Sequence, residues 1–359
     1  MLAREDRRMM VVNMDLKLKK LKPKIEQQRV YARDFNLFQE HILLPPPLLS
    51  RVMFLLGEEM QGGGMKVICE DPTTKLRLEL VLIPLLYPED EEELNRHVKV
   101  LLGRLHSSLL KVVEMSVHMV RAYTCNGLTA MDQRMAVVVL EAPTDAIYRP
   151  LLQYMIRYRS RRDKQHNKDE KEEEIVNGRR VFDDADLRAA LLQLSGALVA
   201  LHRQGIIHRN INPDCLTVRD GEELHAQRLL VKLGDYWVLK NPRKAGCEYS
   251  YGRGDWGCRE TAAPEVLQGL EITTKCDVWG LGICAYYWCN WGVYPSPLLL
   301  SQLRLQGITA FSQCIPLCWG EWLSSLLFMC LQPSPSTRAS AEKVYNHLVK
   351  SGPKKKKKG

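Results

Sequence analysis

The stretch Ile206–Leu216, read as I-I-H-R-N-I-N-P-D-C-L, constrains the fold more than any other, because elements that must bury apolar faces hold this polar loop at both ends. Ahead of it, Ala185–Gln204 spaces Leu187, Leu191, Leu194, Leu198 and Leu201 at helical intervals, so one face of that segment belongs in a core. Asp183 and Asp184 can cap the helix at its start, and Gly205 stops it. Behind the loop, Cys215–Val218 and Leu229–Leu233 read as a hairpin leading into V-K-L-G-D-Y-W at Val231–Trp237.

Length and composition set outer bounds. A chain of 359 residues can bury one or two sizeable cores, and 45% apolar with 26% charged residues is ordinary for a soluble globular protein. Net charge is +9, but Lys354, Lys355, Lys356, Lys357 and Lys358 supply five of those charges, leaving +4 on the rest. This is a basic tail on a near-neutral body. Such a tail is either a solvated, disordered end or a contact for nucleic acid, an anionic membrane or an acidic protein surface. Eleven cysteines are scattered without paired spacing, and charges interrupt Met1–Asn13, so no signal peptide is expected and reduced thiols of the cytosol or nucleus follow. The longest apolar run, Val278–Cys289, falls short of the roughly 20 residues a bilayer needs. It reads as a buried helix, and no transmembrane segment is expected. Cys314 and Cys318 lack a second pair and a histidine, so no metal site is expected there.

Residues 1–49 read as an extension. Lys17, Lys19, Lys20, Lys22 and Lys24 alternate with leucines, Ile25–His41 turns polar and helical, and Pro45–Pro47 breaks it. Such an extension is either a helix docked outside the main body or a linker, and the sequence does not choose. Val52–Leu56, Met65–Glu70 and Lys75–Ile83 read as strands, the third alternating Leu76, Leu78, Leu80 and Leu82 against Arg77, Glu79, Val81 and Ile83. Glu91–Leu105 is an amphipathic helix, Leu109–Met115 with Val117–Thr124 is a strand and its continuation, and Met135–Leu140 is a buried strand. A helix is expected from Ile147 to Tyr158, and the charge blocks of Arg157–Arg180 mark a solvated insertion.

Five motifs carry a family resemblance. H-R-N-I-N-P-D-C at His208–Cys215 resembles the catalytic loop His-Arg-Asp-x-x-x-x-Asn, and Asp235-Tyr236-Trp237 the metal loop Asp-Phe-Gly. Ala263-Pro264-Glu265 is an intact Ala-Pro-Glu, Asp277–Gly282 resembles Asp-x-Trp-Ser-x-Gly, and Cys330–Ser340 resembles the Asp-Pro-x-x-Arg-Pro stretch. On these, from about Ser50 to Lys350, the chain resembles the eukaryotic protein kinases. The resemblance implies an α+β, two-lobed fold: a small β-rich N-lobe at about 50–141 and a larger helical C-lobe at about 142–350, with the charged insertion 157–180 inside it and a disordered tail at 351–359. Glu141-Ala142-Pro143 resembles the hinge between the lobes.

The same resemblance assigns roles that several residues here cannot fill. Asn210 stands at the base position, and an amide takes no proton at neutral pH. Cys215 offers sulfur where Mg²⁺ requires hard oxygen. Val81 falls on the phosphate-binding lysine (Leu80 if the register slips by one), His97 on its glutamate partner, and Asn212 on a loop lysine. Gly57 and Gly62 match the first and third glycines of the phosphate loop, but Glu59 replaces the second. Asp235 survives as the one residue that keeps nucleotide binding arguable. The framework persists: His208, Tyr236 and Leu101 fall on an apolar spine between lobes, Asp277 on its anchor, and Arg209 still follows His208 and is expected to bond backbone or carbonyls beside Asp235. Glu265 and Arg338 fall on a buried ion pair. The implied function is a pseudokinase, a scaffold or allosteric partner of another protein that transfers no phosphate and has no resident cofactor, ATP and Mg²⁺ having lost most of their ligands. Two rival expectations stand beside it: a weak nucleotide-dependent kinase recruiting Lys232 or Lys66, and a carrier for basic ends that bind nucleic acid or membrane.

Overall fold

A computed structural model describes residues 53–59, 65–70, 77–85, 88–102, 106–123, 130–141, 149–155, 184–220, 229–234, 258–290, 292–307 and 321–351. In the N-lobe, β1 (Met53–Glu59), β2 (Met65–Glu70), β3 (Arg77–Pro84), β4 (Val112–Tyr123) and β5 (Ala130–Glu141) form one antiparallel sheet in the order β1-β2-β3-β5-β4. Helix α1 (Pro88–Leu101) joins β3 to β4, and its Leu94, Val98 and Leu101 share a core with Val81 and Ile83 of β3. The strand read from Leu109 and its continuation from Val117 form one element, β4, which begins at Val112 and carries a register shift between Val112 and Glu114. Gly57 lies within β1, opposite Val67, rather than beyond the end of the strand.

The C-lobe opens with β6 (Arg149–Pro150), which pairs with β7 (Leu216–Asp220), itself paired with β8 (Leu229–Leu233). The helix expected from Ile147 therefore starts later, at 151. Proline drives the residue before it into extended backbone and is tolerated in a first helical turn, so Pro150 ends the strand and begins the helix. Helix α2 (Asp184–Arg203) buries Leu187, Leu191, Leu194, Leu198 and Leu201. Gly205, at φ 71°, terminates it: its N–H reaches the carbonyl of His202 while that of Ile206 reaches Leu201. That pair of bonds is a Schellman cap, which needs the left-handed residue glycine supplies without strain.

Among the described residues five more helices follow in the lobe: α3 (Pro264–Leu267), α4 (Lys275–Cys289), α5 (Pro297–Gln306), α6 (Glu321–Cys330) and α7 (Ala341–Lys350). Every residue of α4 from Cys276 to Cys289 is buried, and apart from Asp277 in its first turn none of them is charged, as befits a helix inside the core. Gly282 lets α6 approach it closely, since a Cβ there would lie 2.7 Å from that of Cys330. The two lobes are hydrogen-bonded through β8. Leu233 donates to Ser108 O at 2.8 Å and accepts from Leu110 N at 3.1 Å. No helix among the described residues is long and apolar enough to cross a membrane. The extension 1–49, the hinge residues Ala142 and Pro143, the insertion 157–180 and Lys354–Lys358 lie outside the described residues.

Candidate functional site

The Schellman cap delivers the chain directly into the loop 206–215, and Asp277 at the start of α4 fixes it. The Asp277 carboxylate accepts the backbone N–H of His208 (2.9 Å) and of Arg209 (2.7 Å), and the His202 ring nitrogen lies 2.8 Å away. Burial alone would push this carboxyl up; the bonds from His202 and His208 outweigh it and hold Asp277 below the usual carboxylate value. Arg209 adopts φ 67°, a left-handed conformation costly for a side chain of its size and sustained here by the Asp277 bond. His208 is fully buried; its Nε2 lies 2.7 Å from Gly234 O, while its Nδ1 accepts Asn210 N at 3.3 Å. Nε2 is thus the protonated nitrogen. This ring ties the loop to the residue immediately before Asp235.

The three degenerate C-lobe positions bond to one another. Asn210 Oδ1 accepts Asn212 Nδ2 at 2.8 Å and the backbone N–H of Cys258 at 3.2 Å. Asn212 is buried, and its Oδ1 caps the 3-10 turn Pro213–Cys215 by accepting Asp214 N at 2.8 Å. Cys215 is 3% exposed; its thiol donates to Asn212 O at 2.8 Å and accepts Asn212 N at 3.4 Å. The sulfur is turned into its own loop. Gly280 of α4 permits this packing, because a Cβ there would meet Ile211 O at 2.7 Å. Arg209, Asn210, Cys258, Thr261, Cys276 and Gly280 together line a small recess.

On the N-lobe side, Val81 is fully buried opposite Val138, and the alternative register residue Leu80 is equally buried. No described residue of β3 is a lysine. His97 is 5% exposed on α1; burial, with the Arg96 and Arg209 guanidiniums adding to it, lowers its pKa to about 4. The Glu93 carboxylate, 3.9 Å off, favours the opposite direction but does not offset desolvation. Glu93 instead engages Arg209 at 3.3 Å, with side-chain exposures of 16% and 15%. Leu101 is buried in the α1 core. The Lys232 ammonium bonds the carbonyl of Ser107. Gly62, Asp235 and Tyr236 lie outside the described residues.

Below the loop, Arg338 and Glu265 form a bidentate pair at 2.6 and 2.9 Å, both buried. The guanidinium also donates to the carbonyls of Lys275, Gln332 and Pro333, and sits 5.1 Å from the Trp279 ring centroid.

Sequence reasoning missed Cys258, which meets Asn210 through a backbone N–H that no side-chain pattern reveals. It also missed His202 on Asp277 and Glu93 on Arg209. Glu93 had a faint signal, four residues ahead of His97 on one helix face, but it stands in a run of acids with nothing to single it out. Among the described residues no group of His, Cys, Asp and Glu could hold a metal ion.

Comparison with known proteins places this architecture among relatives. The model of the protein kinase domain matches residues 165–349. The chain is similar to the serine/threonine-protein kinase Nek9 of Xenopus laevis, 24% identical over 183 residues, which covers 48% of this chain and 17% of that protein. It is similar to the serine/threonine-protein kinase D1044.8 of Caenorhabditis elegans, 27% identical over 165 residues, covering 45% and 16%. It is also similar to the serine/threonine-protein kinase ppk11 of Schizosaccharomyces pombe, 29% identical over 175 residues, covering 46% and 50%. The matched part of the chain spans from 16% to half of the length of these relatives.

Proposed function

The chain belongs to the protein kinase family, and on that premise we propose that it is a pseudokinase, a non-catalytic scaffold or allosteric partner of another protein. The observation that carries this reading is Asn210. Its amide oxygen is shared between Asn212 Nδ2 and Cys258 N, so the group at the base position serves as a structural bridge to the Ala-Pro-Glu segment. Phosphoryl transfer depends on positioning and charge compensation. Cys215, turned inward, and Val81, sealed in the core, offer neither. The reading includes no resident nucleotide or metal, a reducing compartment and a protein partner.

Two measurements test it with purified full-length chain: phosphate incorporation from labelled ATP with Mg²⁺, and thermal shift at millimolar nucleotide. No incorporation is expected. Phosphorylation that disappears in Asp235→Ala would overturn the reading.

One observation favours a second reading, a weak kinase. Lys66 on β2 is the direct cross-strand partner of Val81, which puts a lysine one strand away from the assigned position. That reading requires nucleotide to raise the melting temperature in the wild type and not in Lys66→Met.

A further inference from the structure

The N-lobe sheet carries a carboxylate on the face that it shares with the α1 core. Directly opposed residues of an antiparallel ladder share a face, and successive residues alternate. Glu79, Val81 and Ile83 of β3 therefore lie on one face with their β5 partners Leu140, Val138 and Ala136. Those partners, with Val81 and Ile83, belong to the core that includes Leu94, Val98 and Leu101 of α1. Glu79 alone among these residues is charged, and it is 5% exposed. It stands two residues from Val81, the position of the phosphate-binding lysine, and one rung from the pair of Leu78 with Glu141, where the hinge begins.

The nucleotide that the fold family implies has to fit this face, and the residues present do not suit it. With its phosphates at Val81, its base can extend along β3 in one of two directions. Toward Ile83 the way is filled, since Ile83 is 7% exposed and Leu94 and Ala136 are 0%. The other direction leads to the hinge and lays the base across Glu79 and Leu140. A purine can pack on an aliphatic side chain such as Leu140, but at Glu79 it meets a carboxylate already withdrawn from water. The ring brings no positive charge to compensate that carboxylate, and the phosphates of ATP add repulsion in a low-dielectric interior. We infer that Glu79 is the residue that closes the cleft to nucleotide. The inference rests on the non-catalytic reading above and deepens it: Asn210 and Cys215 fail to act on a bound nucleotide, whereas Glu79 acts earlier, on its entry.

Isothermal titration calorimetry of the full-length chain, with ATP and separately with adenosine, tests the assignment. The wild type is expected to bind neither at millimolar ligand. Glu79→Ala is expected to bind both, at least about tenfold more tightly than the limit set by the wild type, once the misplaced buried charge is gone. Glu79→Gln, which keeps the volume and removes the charge, should bind ATP more tightly than the wild type and more weakly than Glu79→Ala. Glu114→Ala, which removes an exposed carboxylate of β4, should match the wild type. No binding by Glu79→Ala, or wild-type binding as tight as that of the variant, overturns the assignment. Should the thermal transition show that Glu79→Ala does not fold, the glutamine variant decides, and ATP binding no tighter than in the wild type then overturns it. Phosphate incorporation on the same samples keeps the two readings apart: transfer by the wild type overturns the non-catalytic reading, while Glu79 is judged by calorimetry alone.

Discussion

At Asn210 the chemistry of one side chain separates stability from catalysis. A carboxylate at this position accepts the same two donors, Asn212 Nδ2 and Cys258 N, so Asn210→Asp should change unfolding free energy by no more than about 1 kcal/mol. It should also gain no phosphoryl transfer, because Val81, Asn212 and Cys215 stay as they are and groups that act as a unit do not restore activity singly. Denaturation curves and labelled-phosphate incorporation check both halves, and measurable turnover in the single variant would contradict the proposed inactivity. His97 carries the second residue-scale prediction. Its folded pKa of about 4 lies below the ordinary 6.5, so folding favours the neutral ring. The stability this contributes is complete above pH 6.5 and is lost as pH falls toward 4, up to about 3 kcal/mol in all. Urea midpoints measured through that window should fall in the wild type and flatten in His97→Leu. Asp277, depressed rather than raised, contributes its share only above the ordinary carboxylate value and loses it at still lower pH, so the two effects separate.

Among elements, α4 is the one on which the others are set, and two of its contacts can be broken cleanly. In Gly280→Ala the new methyl meets the backbone oxygen of Ile211 at 2.7 Å, so the loop 206–215 must lift from the helix at a cost of about 1–3 kcal/mol. Shortening Ile211 to Val should not rescue it, since both the backbone oxygen at 2.7 Å and the Cβ at 2.8 Å are kept; full rescue would show that the clash is not what lifts the loop. Arg338→Met should cost about 3–5 kcal/mol, because it leaves the Glu265 carboxylate buried and uncompensated, whereas adding Glu265→Gln should recover part of that loss. Chemical denaturation of the two singles and the double closes that cycle. Which of these relations were legible in the sequence follows from their range. Gly205 announced the end of α2, and the leucine spacing its buried face, because both are local. Pro150 marks the boundary that the apolar spacing from Ile147 does not, and the helix begins after it. The Asn210–Cys258 bond joins residues 48 apart through a backbone donor, and only the folded chain brings them together. The motif residues marked the neighbourhood of the site, but the way Asn210, Asn212 and Cys215 satisfy one another depends on a 3-10 turn whose cap is one of them.

Across the whole molecule the lobes are joined by more than the chain itself. Backbone bonds from Ser108 and Leu110 to Leu233 extend β8 toward the N-lobe, and Glu93 of α1 reaches down to Arg209 of the loop. The two links differ in kind: the first is a backbone joint that no side-chain change removes, while the second is a single ion pair. Its side chains are only 16% and 15% exposed, so it is screened far less than the pair of Arg203 with Glu342, at 67% and 58%. Because Arg209 already holds a carboxylate from the N-lobe, α1 is held against the loop by an acid built into the sequence. Glu93→Gln should therefore loosen α1 while leaving the C-lobe intact, raising amide exchange in peptides from 88–101 by roughly tenfold, a loss of about 1–2 kcal/mol in local stability. Arg203→Gln, which removes a water-exposed pair, should leave exchange in the same peptides unchanged. Equal effects of the two substitutions, or none from Glu93→Gln, would mean that the Leu233 joint alone sets the position of α1. The whole-molecule prediction thus rests on one distinction: a half-buried charge pair bridging two lobes orders them, and an exposed pair within one lobe does not.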